Sequence, residues 1–117
     1  MAGKRERILV ADDHRDNVQF IIDAILNPRG FQALEAYDGA EALRKASQEK
    51  PDLILLDIQM PKMNGLEVLQ ALYDQGIRIP VVLMTVHGSE EIAVLAFRLG
   101  ARDYVIKPFT VEEMVRA

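Results

Sequence analysis

The sequence contains no cysteine, and this absence excludes disulfide bonds and metal sites built from thiolates. It also lacks any apolar run close to the roughly 20 residues that a membrane-spanning helix needs. The basic N-terminal stretch MAGKRER is not followed by the apolar core of an export signal. We therefore expect a cytoplasmic protein that does not enter a membrane.

The sequence also lacks an excess of basic charge, since 18 acidic residues outnumber 14 basic ones and the formal net charge is -4 at pH 7. Phosphate binding needs a basic face, so this segment is not expected to contact nucleic acid directly. The chain has 117 residues, half of them hydrophobic, which suits one packed domain and is too short for two.

Short apolar or β-branched runs alternate with segments of helical periodicity along the chain. Strict alternation of this kind predicts an α/β protein in which a parallel sheet has helices on both faces. The predicted strands are Ile8 to Ala11, Phe31 to Ala36, Leu53 to Leu56, Val81 to Thr85 and Tyr104 to Ile106. The predicted helices are Val18 to Leu26, Ala40 to Ala46, Leu66 to Leu72 and Ile92 to Leu99, with a fifth beginning at Thr110.

A single carboxylate, Asp57, ends the most apolar of these strands. The run Leu53 to Leu56 is apolar at every position, which indicates a central strand buried on both faces. In doubly wound sheets ligands bind outside the carboxyl ends of the strands, where the strand order reverses. Asp57 therefore lies where a functional group is expected.

Other polar residues are predicted at the same edge of the sheet. Asp12 and Asp13 follow the first strand, Thr85 ends the fourth, and Lys107 follows the fifth, before Pro108. Each has a structural alternative: the paired aspartates can cap the first helix, Asp57 can form a turn, Thr85 favours strands, and Lys107 can be a solvated charge. The placement of all these residues at one edge of the sheet favours a functional site over five separate structural roles.

Three carboxylates at two neighbouring strand ends repel one another unless a cation joins them. Magnesium prefers a few carboxylates, waters and a phosphate oxygen, so the pattern predicts a site for phosphoryl transfer. A carboxylate nucleophile needs no general base, and His14 and His87 are expected to face solvent. Lys107 and Thr85 can pair with phosphoryl oxygens, and a cis Lys107–Pro108 bond would aim the lysine inward.

The chain resembles the receiver domains of two-component response regulators, including the single-domain chemotaxis regulator. The resemblance covers essentially the whole chain and depends on several motifs taken together. These are VADD at Val10 to Asp13, DGAEAL at Asp38 to Leu43, LLDIQMPKMNG at Leu55 to Gly65, Thr85, and GARDYVIKPF at Gly100 to Phe109.

The resemblance implies a flavodoxin-like, doubly wound five-stranded parallel sheet of order 2-1-3-4-5. It implies that Asp57 accepts a phosphoryl group from a histidine kinase or a phosphotransfer protein. Mg2+ or Mn2+ would be held by Asp13, Asp57 and the backbone carbonyl of Gln59, with Asp12 acting through a metal-bound water.

The resemblance also implies a regulatory role without turnover beyond self-catalysed phosphotransfer and slow autodephosphorylation. Thr85 and Tyr104 would move together on phosphorylation and change the surface of the fourth helix, fifth strand and fifth helix. That surface would control an output domain or a partner protein. Whether the domain forms a homodimer is left open by the sequence. Because the last helix, TVEEMVRA, is short, we expect residues 1–117 to be a receiver domain cut from a longer protein.

The sequence departs from the family at Val86, where a very small residue is usual, and this leaves the lifetime of the phosphorylated form open. Gln59 and His87 occupy variable positions. An aspartyl-nucleophile phosphatase would need an acid where Gln59 stands, and a dinucleotide-binding domain would need glycines that ADDHRDN lacks. A degenerate receiver that only docks partners is disfavoured by intact Asp13, Asp57, Thr85 and Lys107.

Overall fold

The computed structural model describes residues 6–85 and 90–106, and they form five strands and four α-helices in alternation. The strands are β1 (Arg7–Ala11), β2 (Gln32–Ala36), β3 (Leu53–Asp57), β4 (Val81–Thr85) and β5 (Asp103–Ile106). The helices are α1 (Arg15–Ile21), α2 (Gly39–Glu49), α3 (Gly65–Asp74) and α4 (Glu90–Arg98). The predicted fifth helix, Val86, His87 and the Lys107–Pro108 bond lie outside the described residues.

All five strands are parallel and stand in the order β2-β1-β3-β4-β5, which confirms the predicted sheet. β3 is the central strand, and each of its residues from Ile54 to Asp57 is buried. The apolar run that ends in Asp57 is therefore explained by burial on both faces.

Alternate strand residues supply two separate cores, one on each face of the sheet. Leu9, Leu56 and Leu83 pack toward α2 and α3, whereas Leu55 and Met84 pack toward the first helix. This division follows from the two-residue period of a strand. It confirms that helices cover both faces.

The first helical segment differs from the uniform helix that the periodicity predicts. The α-helix ends at Ile21 and continues as a π-helical segment, Ile22–Leu26, and a 3-10 turn, Asn27–Arg29. Pro28 in that turn has no amide hydrogen, so it cannot extend the α-helical hydrogen-bond ladder. The wider turn still buries the apolar side chains that produced the helical pattern.

The second strand begins one residue later than predicted. The Phe31 amide donates to the carbonyl of Leu26, 3.1 Å away, and closes the preceding turn instead of pairing in the sheet. Pairing with β1 starts at Gln32, opposite Arg7. Among the described residues, we find no helix with the length and apolarity needed to cross a membrane.

Side-chain caps fix where α2 and α3 begin. Asp38 accepts a hydrogen bond from the Glu41 amide at 2.7 Å, and Asn64 forms a reciprocal capping box with Glu67. The bond from Glu41 lowers the pKa of Asp38, and the nearby Lys62 ammonium acts in the same direction. The charged form of Asp38 therefore stabilises the folded state.

We predict that Asp38→Ala lowers the free energy of unfolding by about 1 kcal/mol at neutral pH, whereas Asp38→Asn, which keeps a capping oxygen, costs less. Because the pKa of Asp38 is lowered on folding, its charge-dependent contribution is complete above the ordinary aspartate pKa. It is lost as the pH falls through the lowered pKa. Urea unfolding of the three proteins at neutral and acidic pH measures this; a pH-independent deficit in Asp38→Ala would contradict it.

Candidate functional site

Asp12 directly follows β1 and is fully buried, with 0% of its surface exposed. Its amide donates to the carbonyl of Ala36 on β2, so the backbone is held against the sheet. Its carboxylate accepts hydrogen bonds from the His14 amide at 2.9 Å and from the Asn17 side-chain amide at 3.0 Å. The N-cap of α1 is His14, so neither Asp12 nor Asp13 occupies the capping position that the structural alternative requires.

Asp57 is the last residue of β3 and is 4% exposed. It stands opposite Met84 on β4, and the next amide, of Ile58, donates to the Met84 carbonyl at 3.0 Å. One carboxylate oxygen, Oδ1, accepts from the Gln59 amide at 3.3 Å, a local turn contact. Asp57 thus ends the strand and begins the loop while its carboxylate stays at the sheet edge.

Asp12, Asp13, His14 and Asp57, which we call the acidic cluster, each offer one ligand atom, and these atoms lie within 4.8 Å of one another. The gathering of the three aspartates was predicted from the strand ends, and it follows from the pairing of Ala11 with Leu56. His14 was not predicted to join them. Its imidazole is 74% exposed, as expected, yet Nδ1 lies 3.0 Å from Asp13 Oδ1 and 3.4 Å from Asp12 Oδ1.

Thr85 ends β4 at the same sheet edge and is buried. Tyr104 pairs with Leu83, two residues earlier, so by strand alternation Thr85 and Tyr104 lie on the same face of the sheet. The Tyr104 ring is half-buried and meets Phe97 of α4 edge-on, with 6.3 Å between ring centroids. The structure therefore places both predicted switch residues on the α4 side, while their movement stays a prediction.

The structure does not test the predicted roles of two other site residues, Gln59 and Lys107. Gln59 follows the cluster by two positions and is exposed, and the role of its carbonyl stays a prediction. Lys107 lies outside the described residues.

The rim beside the cluster carries a second group of charged side chains. The Arg15 guanidinium lies over the Tyr37 ring, 4.1 Å from its centroid. The Tyr37 hydroxyl donates to Glu35, and this bond, reinforced by burial, raises the pKa of Tyr37. The raised pKa extends toward higher pH the range over which the Tyr37 ring beneath Arg15 stays uncharged.

The loop after Asp57 is held by two close backbone approaches. A Cβ atom on Gly65 would lie 2.3 Å from the Asp57 carbonyl oxygen and 2.8 Å from the Ile58 Cα. A Cβ atom on Gly39 would lie 1.9 Å from the Met63 carbonyl oxygen. Only glycine permits these contacts, so the starts of α2 and α3 fix the backbone that carries Asp57.

A separate cavity of about 250 Å³ opens at the opposite, amino edge of the sheet, between the ends of α3 and α4. Its lining includes Leu72, Ile77 and Leu99 and is mainly apolar. No carboxylate contributes to it, so the chemistry of the described residues points to the acidic cluster instead.

Carboxylate oxygens with one imidazole nitrogen form a donor set that fits a divalent cation. Asp12 and Asp57 are buried, so their carboxylates are held in place at the inner side of this set. The fold and this cluster define a doubly wound α/β domain with an acidic site suited to phosphoryl chemistry. The chain matches the response regulator receiver domain over residues 8–117, and it belongs to that family.

Individual relatives agree with this assignment. The chain is 40% identical to the alkaline phosphatase synthesis transcriptional regulatory protein PhoP of Bacillus subtilis over 93% of its own length and 45% of PhoP. A receiver domain of Francisella response regulator 1452 matches with a TM-score of 0.89 and 32% identity, covering 96% of this chain and 92% of that one. A chain of the CheX–CheY–BeF3–Mg2+ complex from Borrelia burgdorferi matches with a TM-score of 0.89 and 26% identity, covering 95% and 84%.

Membership of this family means that the domain serves phosphorylation-dependent two-component signalling in a regulatory role. Receiver domains typically bind Mg2+, and the acidic cluster is a suitable place for it. The chain spans less than half the length of the curated relatives it matches.

We predict that Gly65→Ala slows phosphorylation of the domain because the new methyl group displaces the Asp57 backbone. Gly30→Ala is the matched control, since Gly30 has a φ of 80° and open space around it. Both changes are expected to lower stability by about 1 to 3 kcal/mol. Label incorporation from a small-molecule phosphodonor, with thermal melts in parallel, separates the two effects; equal labelling rates would show that Gly65 does not position the acceptor.

Proposed function

We propose that Asp57 accepts a phosphoryl group from a phosphohistidine of a sensor kinase or a phosphotransfer protein. The observation that carries this proposal is the burial of Asp57 at the end of the central strand, with the ligand atoms of Asp12 and Asp13 inside the same 4.8 Å cluster. A carboxylate oxygen of Asp57 attacks phosphorus, the P–O bond forms, and the P–N bond to the donor imidazole breaks. The released imidazole takes up a proton.

Charge is the main obstacle to this transfer. A phosphoryl group brings roughly one and a half to two negative charges next to carboxylates that already repel one another. Asp13, Asp57 and the Gln59 carbonyl would hold Mg2+, or Mn2+, and Asp12 would act through a bound water. When bound, the cation neutralises charge on the transferring group. The structural relative from the CheX–CheY complex, which includes BeF3 and Mg2+, supports the proposal that a phosphoryl group and a divalent cation bind together in this domain.

Thr85 and Lys107 have positioning roles in this proposal. The Thr85 hydroxyl donates a hydrogen bond to one phosphoryl oxygen, and the Lys107 ammonium pairs with another. No general base is needed for a carboxylate nucleophile. The phosphatase alternative lacks its acid, because Gln59 is an amide that can neither donate nor accept the required proton.

The signal leaves through the surface that contains α4 and β5. Val94, Leu95 and Phe97 of α4 are large apolar side chains that stand exposed there. Such side chains favour contact with another protein surface. We assign this face to an output domain, a separate partner or a second copy of the chain. PhoP is named as a transcriptional regulatory protein and is more than twice as long as this chain's match to it, which supports an output domain.

We predict that Asp57→Asn abolishes phosphorylation. Asp74→Asn is the matched control, because Asp74 is an exposed carboxylate at the end of α3 that accepts a surface hydrogen bond from Gln70. Incubation with a small-molecule phosphodonor and Mg2+, followed by mass spectrometry, locates the modified residue. Wild type and Asp74→Asn should carry label on Asp57; label at the wild-type level in Asp57→Asn would refute the assignment.

We predict that Thr85→Val still accepts phosphate on Asp57 but switches poorly. Valine keeps the shape of threonine and removes the hydroxyl, so the contact that exists only in the phosphorylated state is lost. Thr85→Ser, which keeps the donor, should retain the response. NMR shifts of the β5 amides and the Tyr104 ring, with and without a beryllofluoride mimic, report the change. A full response in Thr85→Val would show that Thr85 is only a strand residue.

A further inference from the structure

His14 is the member of the acidic cluster that the transfer chemistry does not use. Its backbone is fixed on both sides: its amide donates to Asp12 Oδ1 at 2.9 Å, and its carbonyl accepts from the Asn17 and Val18 amides that open α1. The backbone is extended there, with φ -92° and ψ 107°. The imidazole therefore projects from a fixed point at the mouth of the cluster.

The position of the ring suits a ligand in an octahedral shell. Donors about 2.1 Å from a metal lie about 3.0 Å apart when adjacent and about 4.2 Å apart when opposite. His14 Nδ1 lies 3.0 Å from Asp13 Oδ1 and 3.4 Å from Asp12 Oδ1. Small closing movements would bring the His14, Asp13 and Asp57 donors, now within 4.8 Å of one another, into one shell, while Asp12 would act through a bound water.

We propose that His14 supplies an imidazole nitrogen to the divalent-cation site and shifts its preference toward transition metals that favour nitrogen donors. This inference rests on the proposed function, because it takes the acidic cluster as the cation site. Magnesium is a hard ion that prefers oxygen, whereas cobalt, nickel and zinc gain from an imidazole ligand. A site of carboxylates alone would not provide that gain.

The exposure of the ring is consistent with a ligand at the open side of the site. Asp12 and Asp57 form the buried inner side of the acidic cluster. The His14 side chain is 74% exposed and lies on the solvent side of the same cluster. A single side chain at this position leaves other directions open for water and for a phosphoryl oxygen. The same 3.0 Å separation also fits a hydrogen bond from Nδ1–H to Asp13, so the test must distinguish a ligand from a hydrogen-bond donor.

The test compares Co2+ with Mg2+ on protein that carries no histidine tag, using calorimetric titration. Three variants are needed. His14→Gln keeps a hydrogen-bond donor for Asp13 but offers no ring nitrogen. Asp13→Ala removes one of the proposed metal-binding carboxylates, and His87→Gln removes the other histidine of the chain. His14→Gln should weaken Co2+ binding by about tenfold or more and leave Mg2+ binding nearly unchanged. Proton NMR of the Co2+ form should show a strongly shifted, exchangeable ring N–H that His14→Gln removes and His87→Gln retains.

Other results would overturn the inference. Equal loss of Co2+ and Mg2+ affinity in His14→Gln would mean that the ring only positions Asp13, and no loss of either would mean that it has no role at the site. A shifted N–H that disappears in His87→Gln would assign the nitrogen ligand to the other histidine. Unchanged Mg2+ binding in Asp13→Ala would instead refute the cation site itself, so the two proposals fail separately.

Discussion

The structure depends on one electrostatic constraint, the repulsion between carboxylates that parallel pairing forces together. The register that sets Ala11 against Leu56 brings the next residues, Asp12 and Asp57, to the same edge, and both are buried. Negative charges this close and this poorly solvated need compensation. Amide donors from His14, Asn17 and Gln59 supply part of it, and a divalent cation bound at the acidic cluster would supply more. The acidic cluster is therefore a suitable place for the Mg2+ that receiver domains typically bind.

The backbone of the loop after β3, which follows Asp57, is held in a fixed position. Gly39 and Gly65 let the loop after β3 approach α2 and its own strand at distances that exclude any side chain. Caps at Asp38 and Asn64 hold the same two helices at their starts. The Asp57 backbone is thus preorganised, and the proposed phosphoryl transfer would depend mostly on such positioning.

The response to phosphorylation requires the opposite property, an element with two arrangements. Tyr104 is half-buried, contacts Phe97 edge-on, and shares a sheet face with Thr85. A hydrogen bond from the Thr85 hydroxyl to a phosphoryl oxygen, which can form only in the phosphorylated state, would give the differential contact that the proposed switch needs. Thr85 and Tyr104 lie between the acidic edge and Phe97 of α4, and the proposed switch would act through these three side chains.

The sequence by itself determined the sheet, its central strand and the edge that carries the aspartates, because strand burial and the β-α order are local patterns. It also identified the family from spaced motifs. Only the tertiary structure decided that Phe31 closes a turn, that the first helix widens after Ile21, and that His14 joins Asp12 and Asp13. Periodicity describes which face of an element is buried. It does not encode the local hydrogen bonds at the start of α1, and those bonds hold His14 beside Asp12 and Asp13.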